Sequence, residues 1–186
     1  CTVSGKVNGT GSYIGGVCGY NTSGTVSGCD NTAAVTGNKS VGGVCGYNTS
    51  GTVSGCDNTA AVTGNQSVGG VCGYNTSGTV SGCDNTATVT GNKSVGGVCG
   101  KSENNSTIEN SHNTEATVEG DYNVGGICGE NNNSSITGCT VSGSVKSAST
   151  SVAYVGGVCG DNNGGKVENC YNTAAVIGTG TTVGGV

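Results

Sequence analysis

The strongest constraint on the fold of this chain is an internal repeat of 27 residues. Cys18, Cys45 and Cys72 follow one another at that interval, and the units that start at Val41 and Val68 are almost identical in sequence. A repeat of this length is typical of solenoids, propellers and other arrays in which each unit contacts only its neighbours. The chain is therefore interpreted as an array of one duplicated motif.

The order of residues within the unit selects the architecture. Each unit contains three short runs of β-favouring residues, VGGVCG, GTVSGC and NTAAVTG, separated by the turn clusters YNTSG and GN(K/Q)S. This pattern predicts an all-β fold, a right-handed parallel β-helix with three strands per coil, one 27-residue unit per coil and about six full coils. A propeller is the weaker alternative, because its blades usually need about 40 or more residues each.

The composition requires a core of small side chains. The sequence has no Phe, Trp, Met or Pro, so the interior must consist of stacked Val, Ala and Cys. Cys29, Asn31, Ala33 and Val35 share one parity and are predicted to point inward, with the asparagines of successive coils forming an amide ladder. A bend at the Gly-Gly pair of the first run lets both of its flanking apolar residues point inward.

The domain prediction is a single β-solenoid array over residues 1–186, cut in mid-coil at both ends. Cys1 to Gly9 matches the last part of a unit, and Val183 to Val186 opens another. Uncapped ends expose unpaired strand edges, so we expect the chain to stack head to tail on itself or to continue into further coils of a longer chain.

Charge and hydropathy exclude two kinds of partner. The net charge is −5 with only six basic residues, so a nucleic-acid partner is not expected. No run of 18 apolar residues occurs, so no membrane span is expected.

Twelve cysteines at regular offsets indicate disulfides, and hence an extracellular or cell-surface location. Pairing within coils would join residues 11 apart, namely Cys18 to Cys29, Cys45 to Cys56, Cys72 to Cys83, Cys128 to Cys139 and Cys159 to Cys170. Cys1 and Cys99 would then be orphans, because Ser111 occupies the place of the partner of Cys99. A staggered pairing between coils rescues both orphans: Cys1 to Cys18, Cys29 to Cys45, Cys56 to Cys72 and Cys83 to Cys99, with Cys128 to Cys139 and Cys159 to Cys170 kept, so that all twelve pair. Free core thiols are the third alternative.

Other residue patterns give weaker indications. Zinc is not expected, because no CxxC is present and His112 is the single histidine. A column of Asp30, Asp57 and Asp84 is interpreted as solvated carboxylates rather than a calcium site, because no known calcium loop is present. No catalytic motif occurs, so we expect no enzyme activity, no catalytic residues, no metal and no cofactor.

Two surface features complete the candidate sites. A short Thr-rich stripe, which begins at Thr32 and recurs at Thr59 and Thr86, is of the kind that ice-binding solenoids present. N-x-S/T triplets in predicted turns make the following residues glycosylation candidates: Asn8, Asn21, Asn38, Asn48, Asn65, Asn75, Asn92, Asn104, Asn105, Asn132 and Asn133.

The unit VGGVCGYN…GTVSGC…NTAAVTG, most clearly in Val155 to Gly178, resembles the GLUG-motif repeat family. Val44-Cys45 and its equivalents depart from the usual Leu-Val of that motif. Such repeats occur in large bacterial surface proteins, including adhesin-like proteins and non-catalytic regions of IgA-cleaving metallopeptidases. The resemblance implies an extracellular array and supplies no catalytic residue.

The function predicted from these observations is structural: a disulfide-stapled, extracellular repeat segment that acts as an adhesin stalk or filament subunit. The alternative, from a different class, is a binding module that recognises glycans or ice along one face of the solenoid.

Overall fold

A computed structural model describes residues 1–150, 153–179 and 182–186 of the chain. The predicted all-β solenoid is confirmed: the described residues form short strands and no helix, and the strands of neighbouring coils pair in parallel. Val62 pairs with Val35 of the preceding coil and with Val89 of the following one. One 27-residue unit therefore makes one coil, and the six units make about six coils.

Each coil crosses four sheets, which we number in the order in which a unit passes through them. Sheet I contains seven strands: Ser12–Gly15, Lys39–Gly42, Gln66–Gly69, Lys93–Gly96, Tyr122–Gly125, Tyr154–Gly156 and Thr182–Gly184. Sheet II contains six: Cys18–Thr22, Cys45–Thr49, Cys72–Thr76, Cys99–Glu103, Cys128–Asn132 and Cys159–Asn163.

The second and third runs of the unit form the other two sheets. Sheet III contains six strands: Thr25–Ser27, Thr52–Ser54, Thr79–Ser81, Thr107–Glu109, Ser135–Thr137 and Lys166–Glu168. Sheet IV contains twelve: Thr2–Val3, Lys6–Asn8, Asp30–Asn31, Ala34–Thr36, Asp57–Asn58, Val62–Thr63, Asp84–Asn85, Val89–Thr90, His112–Glu119, Thr140–Ser147, Tyr171–Asn172 and Ala175–Gly178.

The Gly-Gly pair divides the first run between sheets I and II. In the unit that starts at Val41, the chain bends at Gly42 and Gly43, and the side chains of Val41 and Val44 are both fully buried. A Cβ atom at Gly43 would overlap the carbonyl oxygen of Gly70 in the next coil and the side chain of Asn58. Glycine is required here because the backbones of successive coils approach closely at the bend.

The core consists of the predicted columns. Cys29, Asn31, Ala33 and Val35 are all buried, and the apolar column of sheet III is fully buried at its four central positions: Val53, Val80, Ile108 and Ile136. The predicted amide ladder is also confirmed. The side-chain amide of Asn31 donates to Asn58 at 2.8 Å, and Asn58 donates to Asn85 at 2.8 Å. Asn85 donates in turn to Asn113 at 2.7 Å.

Insertions leave the stack intact. The extra residue near Glu115 forms the predicted β-bulge: the register of His112–Glu119 against Thr140–Ser147 shifts between Asn113 and Ala116, and Glu115 has a φ of 54°. The longer insertion predicted from Lys146 to Ala153 includes residues 151–152, which lie outside the described part of the chain.

The bend gives a first testable prediction. Gly43→Ala should lower the free energy of unfolding by about 3 kcal/mol, because neither the Gly70 carbonyl nor the buried Asn58 amide can move away from a new methyl group. Gly11→Ala is the matched control, since a Cβ atom there meets nothing within 4 Å. Urea unfolding followed by circular dichroism measures both, and equal stabilities for the two variants would contradict the packing argument.

Candidate functional site

A row of tyrosines lies on the outer surface beside the bend between sheets I and II. Tyr20, Tyr47 and Tyr74 occupy equivalent places in three successive strands of sheet II, and Lys101 follows them in the fourth. Tyr13, from the edge strand of sheet I, reaches the same row. The sequence showed these tyrosines only as members of a turn cluster, so the row was not predicted.

The rings of the row contact one another. Tyr47 stacks in parallel on Tyr20, with ring centroids 5.0 Å apart and an interplanar angle of 3°. Tyr47 also meets Tyr13 and Tyr74 edge to face, each at a centroid distance of 4.9 Å. Aromatic pairs in these geometries stabilise each other by about 0.5–1.5 kcal/mol beyond their burial. The tyrosines are therefore held in place, although Tyr20 and Tyr13 keep about half of their surface exposed, 51% and 44%.

A groove of about 340 Å³ runs beside the row. Its walls combine aromatic rings with hydrogen-bonding side chains, the main contributors being Tyr13, Tyr47, Tyr74, Lys39, Gln66 and Lys101. Ser40 and Ser67 line it as well, and both have left-handed backbones with φ of 50° and 53°. The same conformation recurs at Ser94 and Asn123, so it belongs to the coil rather than to the groove alone.

The row continues into a charged cluster. Lys101 Nζ lies 5.6 Å from the ring centroid of Tyr74 and forms ion pairs with Glu103 and Glu130, each at 3.2 Å. Glu130 also accepts hydrogen bonds from Ser94 Oγ at 2.7 Å and from Asn132 Nδ2 at 2.9 Å. Burial alone would raise the pKa of Glu130, but the bonds from Ser94 and Asn132 and the charge of Lys101 outweigh burial and lower the pKa.

This arrangement suits a ligand that has apolar faces and many hydroxyl groups. The tyrosine rings offer flat apolar surface, while lysine, glutamine and serine side chains offer donors and acceptors along the same groove.

A sequence-family model matches three of the repeats. The sequence profile described as the GLUG motif matches residues 64–90, 91–119 and 120–146, which are three consecutive coils. Residues 64–146 are GLUG repeats. The predicted resemblance is thereby confirmed for these three coils, and each GLUG repeat begins at the glycine that precedes a strand of sheet I.

Two further comparisons concern whole proteins. The fold is similar to a crystal structure of a “putative immunoglobulin A1 protease” from Bacteroides ovatus, with a TM-score of 0.53 and 19% sequence identity. The similarity covers 89% of this chain and 66% of that one, and at this identity it shows the fold alone. A search of curated proteins finds no matching relative.

None of the described residues forms a helix with the length and hydropathy that crossing a bilayer requires.

The twelve cysteines are thiols in this structure and lie in two columns. The first cysteine column has one member at the start of each strand of sheet II, namely Cys18, Cys45, Cys72, Cys99, Cys128 and Cys159. The second cysteine column precedes the strands of sheet IV and contains Cys1, Cys29, Cys56, Cys83, Cys139 and Cys170, with Ser111 between Cys83 and Cys139. Cys1 Sγ lies 2.7 Å from Cys29 Sγ of the neighbouring coil, a pairing within one column that neither predicted scheme contains.

The glycosylation candidates divide into two groups. Asn21, Asn48 and Asn75 lie in strands of sheet II and are buried, so the expectation of an accessible turn is wrong for them. They form a second amide ladder, in which Asn21 donates to Asn48 and Asn48 to Asn75, each at 2.8 Å. Asn8 and Asn132 also lie in strands, but Asn8 is exposed and Asn132 is partly exposed. Glycosylation stays a prediction for the remaining sites: Asn8, Asn38, Asn65, Asn92, Asn104, Asn105, Asn132 and Asn133.

The other predicted surface residues face outward on sheet IV. Asp30, Asp57 and Asp84 stack in register. Burial and the two neighbouring carboxylates raise the pKa of Asp57. His112 is not buried, and its Nδ1 lies 2.7 Å from Thr140 Oγ1. The Thr stripe is exposed at its starting positions, including Thr32 and Thr59.

The charged cluster gives a testable pH dependence. Because the folded-state pKa of Glu130 is lowered, its contribution to stability is present above the unfolded pKa of about 4.3 and is lost as the pH falls through the folded value. Glu130→Gln should therefore lower the free energy of unfolding by about 1–2 kcal/mol at pH 7 and by much less near pH 3. Urea titrations at the two pH values measure the difference.

Glu119→Gln serves as the control for an exposed ion pair. Glu119 lies 3.1 Å from Lys146 with 45% of its side chain exposed, so its replacement should change stability by less than about 0.5 kcal/mol. If Glu130→Gln lowered the free energy of unfolding equally at both pH values, the cluster would be stabilised by side-chain packing and not by the charge of Glu130.

Proposed function

We propose that residues 1–186 form one array that acts as a structural rod segment of an extracellular protein, as an adhesin stalk or a filament subunit. The observation that carries this proposal is the continuity of the register. Equivalent residues pair from coil to coil in all four sheets, even across the bulge at Glu115. A stack of this kind extends along one axis, because each coil contacts only the coil before it and the coil after it.

The buried ladders make the register specific. A slip of one residue between coils would turn the apolar residues of each strand outward and would separate the stacked amides of Asn31, Asn58 and Asn85. Coils can therefore be added or removed in whole units without a change of shape. A spacer whose length is set by its number of repeats needs this property.

The proposal also includes an extracellular location for the array and the absence of catalytic activity. GLUG repeats in residues 64–146 support an extracellular array through the family resemblance. The name of the Bacteroides ovatus protein describes that protein as a protease. The similarity between the two folds supports a solenoid for this chain and does not support protease activity. We infer a non-catalytic segment whose coils stack on further coils, either of a second copy or of the same longer chain.

Removal of one coil tests the rod. Deletion of residues 68–94, one complete unit, should leave a folded solenoid that is shorter by one strand spacing of about 4.8 Å, because Ser67 then joins Val95 in the same register. Deletion of residues 68–80 alone removes half a coil and should prevent folding. Circular dichroism and small-angle X-ray scattering compare the two, and loss of the fold on whole-coil deletion would contradict a linear array.

A second candidate function is glycan binding, which the tyrosine row favours. A cluster of four tyrosines, two exposed and two half-buried, lies beside a polar groove and is unusual on a chain with seven tyrosines and no other aromatic residue apart from one histidine. Rings that are already packed against each other lose little conformational freedom when a ligand binds. The groove would hold sugar rings against Tyr13, Tyr47 and Tyr74, the three tyrosines that line it.

Titration with cellotetraose and chitotetraose tests this second function. Binding should change the tyrosine fluorescence, and Tyr47→Ala should weaken binding about tenfold, because Tyr47 contacts three other rings and borders the groove. Tyr171→Ala, at an exposed tyrosine of sheet IV, should leave affinity unchanged. An equal effect of the two variants, or no response of the unmodified chain to either sugar, would count against the groove.

A further inference from the structure

The second cysteine column brings thiols of neighbouring coils together in pairs. The Sγ atoms of Cys1 and Cys29 lie 2.7 Å apart. Cys56 and Cys83 lie beside each other in neighbouring coils, where the Asp84 amide donates to the Cys56 carbonyl oxygen at 3.1 Å, and Cys139 and Cys170 are placed in the same way. In both pairs the two side chains interact. In the first column, by contrast, an interior thiol such as Cys72 lies between Cys45 and Cys99 and interacts with both, so no single pairing stands out.

The backbone holds each of these three pairs at a bridging distance. In each pair, the residue that follows the first cysteine is the strand partner of the residue that follows the second, for example Thr2 with Asp30. The amide of Asp30 donates to the carbonyl oxygen of Cys1 at 2.7 Å, and that of Tyr171 donates to Cys139 at 2.9 Å. Neighbouring strands lie about 4.8 Å apart, within the Cα separation of about 4.4–6.8 Å that a disulfide spans.

We propose that the second cysteine column forms three disulfides between neighbouring coils: Cys1 to Cys29, Cys56 to Cys83, and Cys139 to Cys170. These pairs differ from those within a coil, such as Cys45 to Cys56, and from the staggered ones, such as Cys29 to Cys45. Each bridge ties one coil to the next along the axis of the rod.

Ser111 fits this pairing. It occupies the column between the second and the third pair, where the scheme requires no thiol. Its Oγ donates to the carbonyl oxygen of Glu109, two residues earlier, at 2.9 Å. Cys83 makes the same contact with Ser81 at 3.3 Å, so serine replaces cysteine here without a change of conformation. In the within-coil scheme this serine instead leaves Cys99 without a partner.

The chemistry needs a disulfide oxidant, for which oxidised glutathione suffices. One cysteine thiolate attacks the glutathione disulfide, which forms a protein–glutathione mixed disulfide and releases one glutathione thiolate. The thiolate of the paired cysteine then attacks the protein sulfur and releases the second glutathione. The protein loses two protons and two electrons per bridge, and two reduced glutathione molecules carry them.

The bridges would prevent the coils from peeling apart. They close loops of 28, 27 and 31 residues, each about one coil, and so restrict the unfolded chain as well as the folded one. The pairs are spread over the whole array, at its first coils, its middle and its last complete coils.

A tryptic map of the full chain tests the pairing. After refolding with oxidised glutathione and alkylation, digestion without reductant divides the chain at its six lysines into 1–6, 7–39, 40–93, 94–101, 102–146, 147–166 and 167–186. We expect 1–6 joined to 7–39 and 102–146 joined to 167–186, with both joins lost on reduction. Fragmentation of 40–93 should give no backbone cleavage products between Cys56 and Cys83.

Matched serine variants identify the cysteines in each join. Cys139→Ser should abolish the join of 102–146 to 167–186, whereas Cys128→Ser, from the first column of the same coil, should retain it. Cys18→Ser should retain the join of 1–6 to 7–39, and its loss would show that Cys1 pairs with Cys18 instead. A join of 147–166 to 167–186 would establish Cys159 to Cys170 and overturn the proposal. Complete alkylation of the second column after oxidation would overturn it equally.

Discussion

In-register pairing between neighbouring coils is the interaction on which the rest of this structure depends. Strands of two to eight residues would not be stable alone, and the chain has no large aromatic core to hold them. Each coil instead stacks its inward side chains on the equivalent positions of the next coil, so the backbone ladder and the side-chain columns reinforce the same register. Local and global preferences agree, which is what a single well-defined fold requires.

The amide ladders show how strictly this condition applies. A ladder asparagine makes its side-chain bond to the next coil only when that coil also carries an amide at the same position. Asn113 stands at the end of its ladder, because Val141 occupies the next place, and its Nδ2 has no partner. Ser102 interrupts the other ladder, and Oδ1 of Asn131 in the following coil is left unpaired. The unsatisfied buried groups of the stack therefore mark the places where two neighbouring repeats differ.

The sequence alone predicted the features that recur in each 27-residue unit. It did not predict which side chains of neighbouring coils contact each other. Inward parity at Cys29, Asn31, Ala33 and Val35, the bend at Gly-Gly and the bulge at Glu115 all follow from comparison of one unit with the next. The contacts between Cys1 and Cys29 and between Tyr20 and Tyr47 join residues 27 or 28 positions apart. Spacing within one unit pointed to a closer cysteine partner, and a tyrosine in a turn cluster gave no indication that it would stack on its own repeats.

Burial in such a stack also determines where function can evolve. Inward replacements such as Ser102 and Val141 leave buried groups of the neighbouring coil unpaired. Outward positions have no such requirement, and each outward position forms a row along the axis. The row at Tyr20 illustrates this: it continues through Tyr47 and Tyr74 to Lys101, Glu130 and Asp161, and so changes from aromatic to charged along one straight line. A solenoid with a nearly constant interior can in this way vary its surface one coil at a time, while the rod itself keeps its shape.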